Sequence, residues 1–290
     1  MREIEYAAPT TVDEAVSALA TGGPCQPFAG GTDLLVQMRS RPPSEQKLVD
    51  IKRIPEMASI ALDASGLRLG AATSCWDVSQ HKGLRETYPG LVEAAELIGS
   101  IQIQNRATVG GNLCNASPAA DTVPALIAVG AECVIAGPGG RRTVSVEDFV
   151  TGPGTTQLRE DELLVELVIP PIPARSADAY LRFIPRGEMD IAVVGAGASV
   201  TLAPDGTCTA ARIALGAVGP TAFAVPAAAD AIIGSSLDEA ALERAAAASR
   251  EAANPIDDKR GTISYRRTVA GVLTRRAIRI AATRATERSS

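Results

Sequence analysis

The sequence predicts an α+β protein, and three observations carry that reading. Short strand and helix patterns alternate near the start of the chain. A hairpin pattern then opens the middle of the chain. Three strand patterns precede two helical ones in the last third.

The elements follow in order. Thr11-Val12-Asp13-Glu14 is a capping box ahead of Ala15, Val16 and Leu19, and it predicts a first helix that Gly22-Gly23-Pro24 ends. Gln26-Pro27-Phe28-Ala29 reads as a short strand running into Gly30-Gly31. Thr32 to Arg39 reads as a short helix with Thr32 near its N-cap, and Lys47 to Ile51 as another strand. Together these make a small α/β lobe of about 60 residues. Ile60 and Leu62, then Leu67 and Leu69, alternate across the turn at Asp63–Gly66, as in a β-hairpin. Ser74 is placed to cap a short helix carrying Trp76 and Val78, and Leu91, Ala94, Ala95, Leu97 and Ile98 form a helical stripe. A long loop, Arg106 to Asp121, opens into a helix from Thr122 to Val129; strands at Glu132–Ala136 and Leu163–Ile169 close this lobe.

Pro170-Pro171-Ile172-Pro173 is a stiff break. The expected organisation is residues 1–175 as one domain, with lobes of about 1–57 and 58–175, and residues 176–290 as a second. In the second, Ala179–Ile184, Ile191–Leu202 and Cys208–Gly216 read as strands. Ser236-Leu237-Asp238-Glu239 is a second capping box opening an Ala-rich helix to about Ala253. A final helix begins near Ser264, with the stripe Tyr265, Val269, Val272, Leu273, Ala277 and Ile280.

Composition narrows the function. With 46% hydrophobic and 21% charged residues, the 290-residue chain is of ordinary globular type. No apolar stretch approaches the roughly 20 residues of a membrane span. The start of the chain lacks the apolar core of a signal peptide, so a cytoplasmic location is expected. The net charge of −5 argues against nucleic acid as a partner. Cys25, Cys75, Cys114, Cys133 and Cys208 are scattered with no Cys-x-x-Cys pair, so an iron–sulfur cluster or zinc held by this chain alone is not expected, and free thiols are. His81 is the single histidine, which removes most imidazole acid–base chemistry. The chemistry must be brought by something bound.

Two glycine segments are the candidate site. In Ala29-Gly30-Gly31-Thr32-Asp33-Leu34, glycines between strand and helix let the backbone approach a ligand, and the helix start offers N–H groups to a pyrophosphate. The alternative is a tight strand–helix turn without a ligand. The second segment, Thr108 to Asp121, holds two glycines, two asparagines, two hydroxyl side chains and one proline in 14 residues, with no charge before Asp121. Loops of this length usually have a function, and uncharged donors suit a flavin and its phosphates. Asp121 reads either as an acceptor for a ribityl or ribose hydroxyl or as the N-cap of the following helix, and one residue can serve both.

Taken together, Ala29 to Leu34 and Thr108-Val109-Gly110-Gly111-Asn112-Leu113-Cys114-Asn115-Ala116-Ser117-Pro118-Ala119-Ala120-Asp121 resemble the FAD-binding medium subunit of molybdenum hydroxylases of the xanthine dehydrogenase and carbon monoxide dehydrogenase type. Arg186 to Val194 resembles a third segment of that family, near the flavin. Asp257 to Arg267 and Leu273 to Ala277 resemble its C-terminal domain. The resemblance covers nearly the whole chain.

It implies a two-lobed FAD-binding domain of the vanillyl-alcohol-oxidase (PCMH) type, followed by a C-terminal domain with a three-stranded β-sheet and helices. It implies FAD held without a covalent bond. Ala29, Gly30, Gly31, Thr32, Asp33 and Leu34 would line the adenine-side phosphates. Thr108, Gly110, Gly111 and Asn112 would meet the pyrophosphate and flavin region, with Val109, Asn115 and Ser117 in the same segment. Asp121 would meet the ribityl or ring end, and Met189 belongs to the segment near the flavin. The implied partners are a molybdopterin-binding large subunit and a small subunit carrying [2Fe–2S] clusters, in a dimer of heterotrimers. Electrons would pass from the clusters through FAD to NAD+, a quinone or another carrier. One departure bears on that acceptor: Val193 stands where some relatives carry a lysine.

Other motifs are weaker. Gly195-Ala196-Gly197 lacks the helix a dinucleotide fingerprint needs directly after it, and reads as a strand of small residues packed closely on a neighbour. Arg266, Arg267, Arg275, Arg276 and Arg279 read as a solvated helix face or a docking surface. Trp76 and His81 read as packing and surface residues, and Cys114 as a small filler. Two rival functions stand beside the electron-transfer subunit. A self-sufficient FAD oxidase would need a substrate pocket and a base, against which one histidine and 3% aromatic residues speak. A flavin-free assembly module would have no use for both glycine segments.

Overall fold

Three sheets, each with helices against it, follow one another along the chain. The structure, a computed structural model, describes residues 4–21, 23–40 and 46–288. The first sheet is parallel: β1 (Ile4–Ala7), β2 (Cys25–Phe28) and β3 (Gln46–Asp50) lie in the order β1-β3-β2. Helix α1 (Val12–Leu19) connects β1 to β2 and buries Val12, Ala15, Val16 and Leu19. Its start is the expected cap, with one shift. Thr11 accepts from the Glu14 N–H at 3.2 Å, but the Glu14 carboxylate reaches back to the Thr10 N–H, at 2.8 Å. The helix stops at Leu19, before the glycines; Gly22 lies outside the described residues. Helix α2 (Leu34–Ser40) follows the first glycine pair.

The second sheet is antiparallel. Its strands are β4 (Ile60–Asp63), β5 (Gly66–Gly70), β6 (Glu132–Gly137), β7 (Gly140–Ser145) and β10 (Leu163–Ile169), in the order β4-β5-β10-β6-β7. The expected β4–β5 hairpin forms, with Gly66 in the left-handed region at φ +116°. A small two-stranded ribbon, β8 (Val150–Gly152) and β9 (Thr155–Thr156), lies between β7 and β10. The central strand β10 is buried along nearly its whole length, and its one charged residue, Glu166, pairs with Arg68 of β5 at 2.6 Å. Seven short helices fill the crossover and its return: α3 (Cys75–Gln80), α4 (Lys82–Thr87), α5 (Pro89–Glu96), α6 (Ile101–Gln104), α7 (Val109–Cys114), α8 (Thr122–Ala128) and α9 (Val146–Phe149). Ser74 caps α3 as expected, and His81 caps α4 by accepting from the Leu84 N–H at 3.1 Å.

The third sheet joins three long antiparallel strands, β11 (Ser176–Phe183), β12 (Val194–Leu202) and β13 (Cys208–Gly216), to a two-residue fourth, β14 (Phe223–Ala224). Helix α10 (Pro226–Asp230) leads to α11 (Glu239–Ala252) and α12 (Ile263–Glu287); α12 covers β11 and β12, and α11 packs on α12. The small residues of β12 do pack closely. A Cβ on Gly197 would stand 2.5 Å from the Pro124 carbonyl oxygen of α8, so the Gly-x-Gly motif is a contact between a strand and a helix.

Two expectations in this part need correction. The cap of α11 is Asp238, whose carboxylate accepts from the Ala241 N–H at 2.8 Å; Ser236 lies too far upstream, and Leu237 between them turns through φ +57°. The buried face of α12 is also rotated from the expected stripe. It runs through Arg266, Ala270, Leu273, Ala277, Ile278, Ala281 and Ala285, while Tyr265 is exposed. Arg266 goes inside because polar groups wait for it: Asp258 at 2.7 Å and the Val193 carbonyl at 2.8 Å. Arg275 and Arg279 instead pair with Glu243 and Glu239 of α11. Among the described residues, no helix is long and apolar enough to cross a membrane.

Candidate functional site

The first and second sheets meet at a cleft, and both glycine segments line it. The first segment is held from behind by a residue that sequence reasoning missed. Asp50, at the end of β3, accepts from Lys52 Nζ at 2.6 Å and from the Tyr6 hydroxyl. Burial pushes the Asp50 carboxyl up, but these bonds outweigh it and hold the group below the usual carboxylate range. Lys52, so oriented, donates to the Ala29 carbonyl at 2.9 Å and lies 4.1 Å over the Phe28 ring. Its charge is therefore spent on the strand end that leads into Gly30. Gly31 then turns through φ +76°, and its carbonyl accepts from the Leu35 N–H at 3.0 Å, the first bond of the turn into α2.

The second segment is not a loop throughout. Its first half is α7, because the Thr108 side chain caps it by accepting from the Gly111 N–H at 2.9 Å. The cap and tight packing together overcome the poor helix propensity of two glycines and an asparagine. Gly110 lies on the backbone of Ala71, where a Cβ would come within 2.5 Å of the carbonyl oxygen. Gly30 is equally confined: a Cβ there would overlap the Arg106 carbonyl oxygen, so the first glycine segment rests on the chain that enters the second. Gly111 differs, since a Cβ there would meet only its own cap, Thr108 Oγ1, at 2.7 Å. Across the cleft, Gln37 of α2 donates to Asn115 Oδ1 at 2.8 Å.

Of the expected site residues, the structure brings Ala29, Gly30, Gly31, Thr32, Asp33, Leu34, Thr108, Gly110, Gly111, Asn112 and Asn115 to this one cleft. Val109, Ser117, Asp121 and Met189 do not line it. Val109 is buried in the core. Ser117 accepts from the Ala119 N–H at 3.3 Å within its own turn. Met189 is exposed on the 184–193 connection before β12, with a backbone φ of +52°. Asp121 stands at the N-cap position of α8, but its side chain makes no cap bond; the Asn112 side-chain oxygen accepts there instead, from the Thr122 N–H at 3.4 Å and its hydroxyl at 2.7 Å. The Asp121 carboxylate is turned away, to the Tyr180 hydroxyl at 2.8 Å and Arg182 at 2.9 Å, both on β11. Burial raises its pKa against the pull of Arg182, and drives the Tyr180 phenol well above its usual value.

The lining suits a ligand with apolar faces and polar edges. The cleft has a cavity volume of about 300 Å³ and an open mouth, at the lower end of the roughly 300–1,000 Å³ of small-molecule sites. Ile51, Ile98, Leu158, Leu163 and Leu164 give it apolar walls, and the threonines, Asn112, Asn115 and Gln37 give it polar ones. Asp33 is the single charged side chain among the described lining residues, and burial raises its pKa. Cys114 lines the cleft too; burial pushes its thiol up to about 12, which keeps it protonated and unreactive. Gln26 also lines the cleft, and its Oε1 is buried with no hydrogen-bond partner. Helices α2 and α7 have seven and six residues, so they contribute first-turn N–H groups more than a summed dipole. An extended dinucleotide with a flavin ring fits these walls, and FAD has that character.

Known proteins agree with this geometry. Residues 2–172 match the family of FAD-binding domains in molybdopterin dehydrogenases, and residues 179–281 match the C-terminal domain of carbon monoxide dehydrogenase flavoproteins. The medium chain of carbon monoxide dehydrogenase from Hydrogenophaga pseudoflava is 36% identical over 96% of both chains. A putative xanthine dehydrogenase FAD-binding subunit of Escherichia coli is 34% identical over 74% of each. In three dimensions, a chain of the solved carbon monoxide dehydrogenase from Hydrogenophaga pseudoflava superposes with a TM-score of 0.91, covering 97% of this chain and 98% of that one. The chain thus belongs to the FAD-binding medium subunits of the molybdopterin dehydrogenase family, and it is an oxidoreductase subunit.

Proposed function

We propose that this chain is the electron-transfer subunit of a molybdenum-containing hydroxylase or dehydrogenase complex, placed between iron–sulfur clusters on a small subunit and a soluble or quinone acceptor. The observation that carries this reading is the shared cleft, where two glycine segments distant in sequence form one largely uncharged wall. FAD, when bound there, supplies one- and two-electron redox chemistry. The chain itself binds and orients. Thr32, Thr108, Asn112 and Asn115 offer hydrogen bonds, Gly111 lets a ligand come close, and the leucines and isoleucines keep water out. Among the described residues no group of His, Cys, Asp or Glu is arranged to hold a metal, so we assign the molybdopterin cofactor and the [2Fe–2S] clusters to partner subunits. The organic substrate is then chosen on the large subunit, and the assembly we propose is a cytoplasmic dimer of heterotrimers.

The same reading divides the chain into a FAD-binding domain, residues 1–175 with lobes 1–57 and 58–175, and a C-terminal domain, residues 176–290. Two largely separate cores support this, one drawn mainly from residues up to Ile169 and one from Ala177 onward. Purification from the native host tests the function. A complex with one larger and one smaller chain, containing molybdenum and iron, is the expected result. A lone 29.9 kDa flavoprotein that turns over an organic substrate would replace this reading with a self-sufficient oxidase.

A further inference from the structure

We infer that Gln26 recognises the adenosine half of the bound dinucleotide and so makes the cleft selective for FAD over FMN; this rests on the FAD reading proposed above. Gln26 lies on β2, an edge strand paired only with β3, just upstream of the first glycine segment, and lines the same cleft. Its Oε1 is buried and lacks a hydrogen-bond partner within the chain. Buried acceptors in folded proteins nearly always have a donor. The nearby cation cannot serve: Lys52 is committed to Asp50 and to the Phe28 and Ala29 carbonyls. An acceptor on the wall of a ligand cleft then takes its donor from the ligand.

The chemistry of FAD and the position of Gln26 together decide which part that is. A pyrophosphate at neutral pH offers acceptors only. The isoalloxazine ring offers one imide N–H and the ribityl chain three hydroxyls, all on the flavin half. Adenosine offers an exocyclic amine and two ribose hydroxyls. Gln26 adjoins the glycine segment assigned to the adenine-side phosphates, so adenosine is the half within its reach. A site built around such an acceptor discriminates against ligands that lack the donor.

The test uses the full-length chain freed of flavin, titrated with FAD and with FMN by fluorescence, and with ADP as competitor. Gln26→Met keeps the side-chain length and removes the acceptor; Gln26→Ala is the second variant should the first fail to fold. FAD and ADP bind the variant about tenfold more weakly, FMN binds as to the parent, and the thermal midpoint does not fall. The inference is overturned if FAD and ADP bind the variant as tightly as the parent, or if FMN affinity drops in step with FAD. Failure of the parent chain to bind FAD at all would overturn the reading of the cleft itself, and this inference with it.

Discussion

Gln37 Nε2 donates to Asn115 Oδ1 at 2.8 Å, joining the helix after the first glycine pair to the end of the helix that carries the second. The pair spans the cleft and fixes the spacing of its two walls. Gln37→Leu removes the tie while keeping volume. We expect FAD affinity to fall by roughly 1 kcal/mol, about fivefold. The flavin-free chain should lose only about 2–4 °C in its thermal midpoint. Fluorescence titration and a melting curve on the same preparation check both.

Gly110 and Gly111 are adjacent but do different work, and their variants should part accordingly. A side chain at Gly110 collides with the Ala71 backbone, so Gly110→Val destabilises the fold by about 1–3 kcal/mol or more. A side chain at Gly111 displaces only the cap and otherwise enters the cleft. Gly111→Val therefore folds, by circular dichroism, but purifies without flavin. A fully flavinated Gly111→Val would remove this segment from the site.

Asp121 and Arg182 form a buried pair, 2.9 Å apart, that ties the second glycine segment to β11. Removing one partner leaves the other charge buried and unpaired. Asp121→Ala should cost about 3–5 kcal/mol in chemical denaturation. The double variant Asp121→Leu with Arg182→Met should recover part of that loss, because apolar groups replace both charges while the Tyr180 hydroxyl and the Leu97 carbonyl lose a partner.

Asp178 gives the chain a pH dependence of stability. It is fully buried where α5 meets β11 and the end of α12; one oxygen accepts from the Leu91 N–H at 3.2 Å and the other has no partner. Burial, reinforced by Glu93, pushes its pKa up to about 7, against the pull of Arg288 and Arg284; Tyr88 is the remaining titratable neighbour. The folded state thus holds this proton more tightly than the unfolded chain, whose carboxyl titrates near 3.9. Stability from this group is full below about pH 4 and is lost as pH rises through about 7. Asp178→Asn should therefore be more stable than the parent at pH 8 and lose that advantage by pH 4. Urea midpoints across that range show it, and equal midpoints at pH 8 would contradict it.

The sequence made the fold class legible because its strongest signals were local. Thr11 and Ser74 cap helices, Asp63–Gly66 turns a hairpin, and Leu163–Ile169 runs apolar, all readable without tertiary context. What was hidden depends on partners far away. Thr108 makes a helix out of a glycine-rich stretch only because Ala71 leaves room for Gly110 and no more. Asp121 was readable as a cap or a ligand, yet Tyr180 and Arg182 claim it from a strand 59 and 61 residues on. Arg266 breaks the apolar stripe of α12 because Asp258 and the Val193 carbonyl receive it inside. The glycine segments themselves were legible as a pair. Gln26 and Gln37 were not, since nothing in their local sequence marks them as cleft residues, and nothing marks Lys52 as the support behind the first segment.

The central claim is that the cleft holds FAD without a covalent bond. The most direct measurement is the absorbance spectrum of the purified chain, followed by denaturation and mass analysis of whatever flavin is released. Flavin bands and one FAD released intact per chain are the expected result. Protein without flavin, or flavin that stays attached after denaturation, would contradict it.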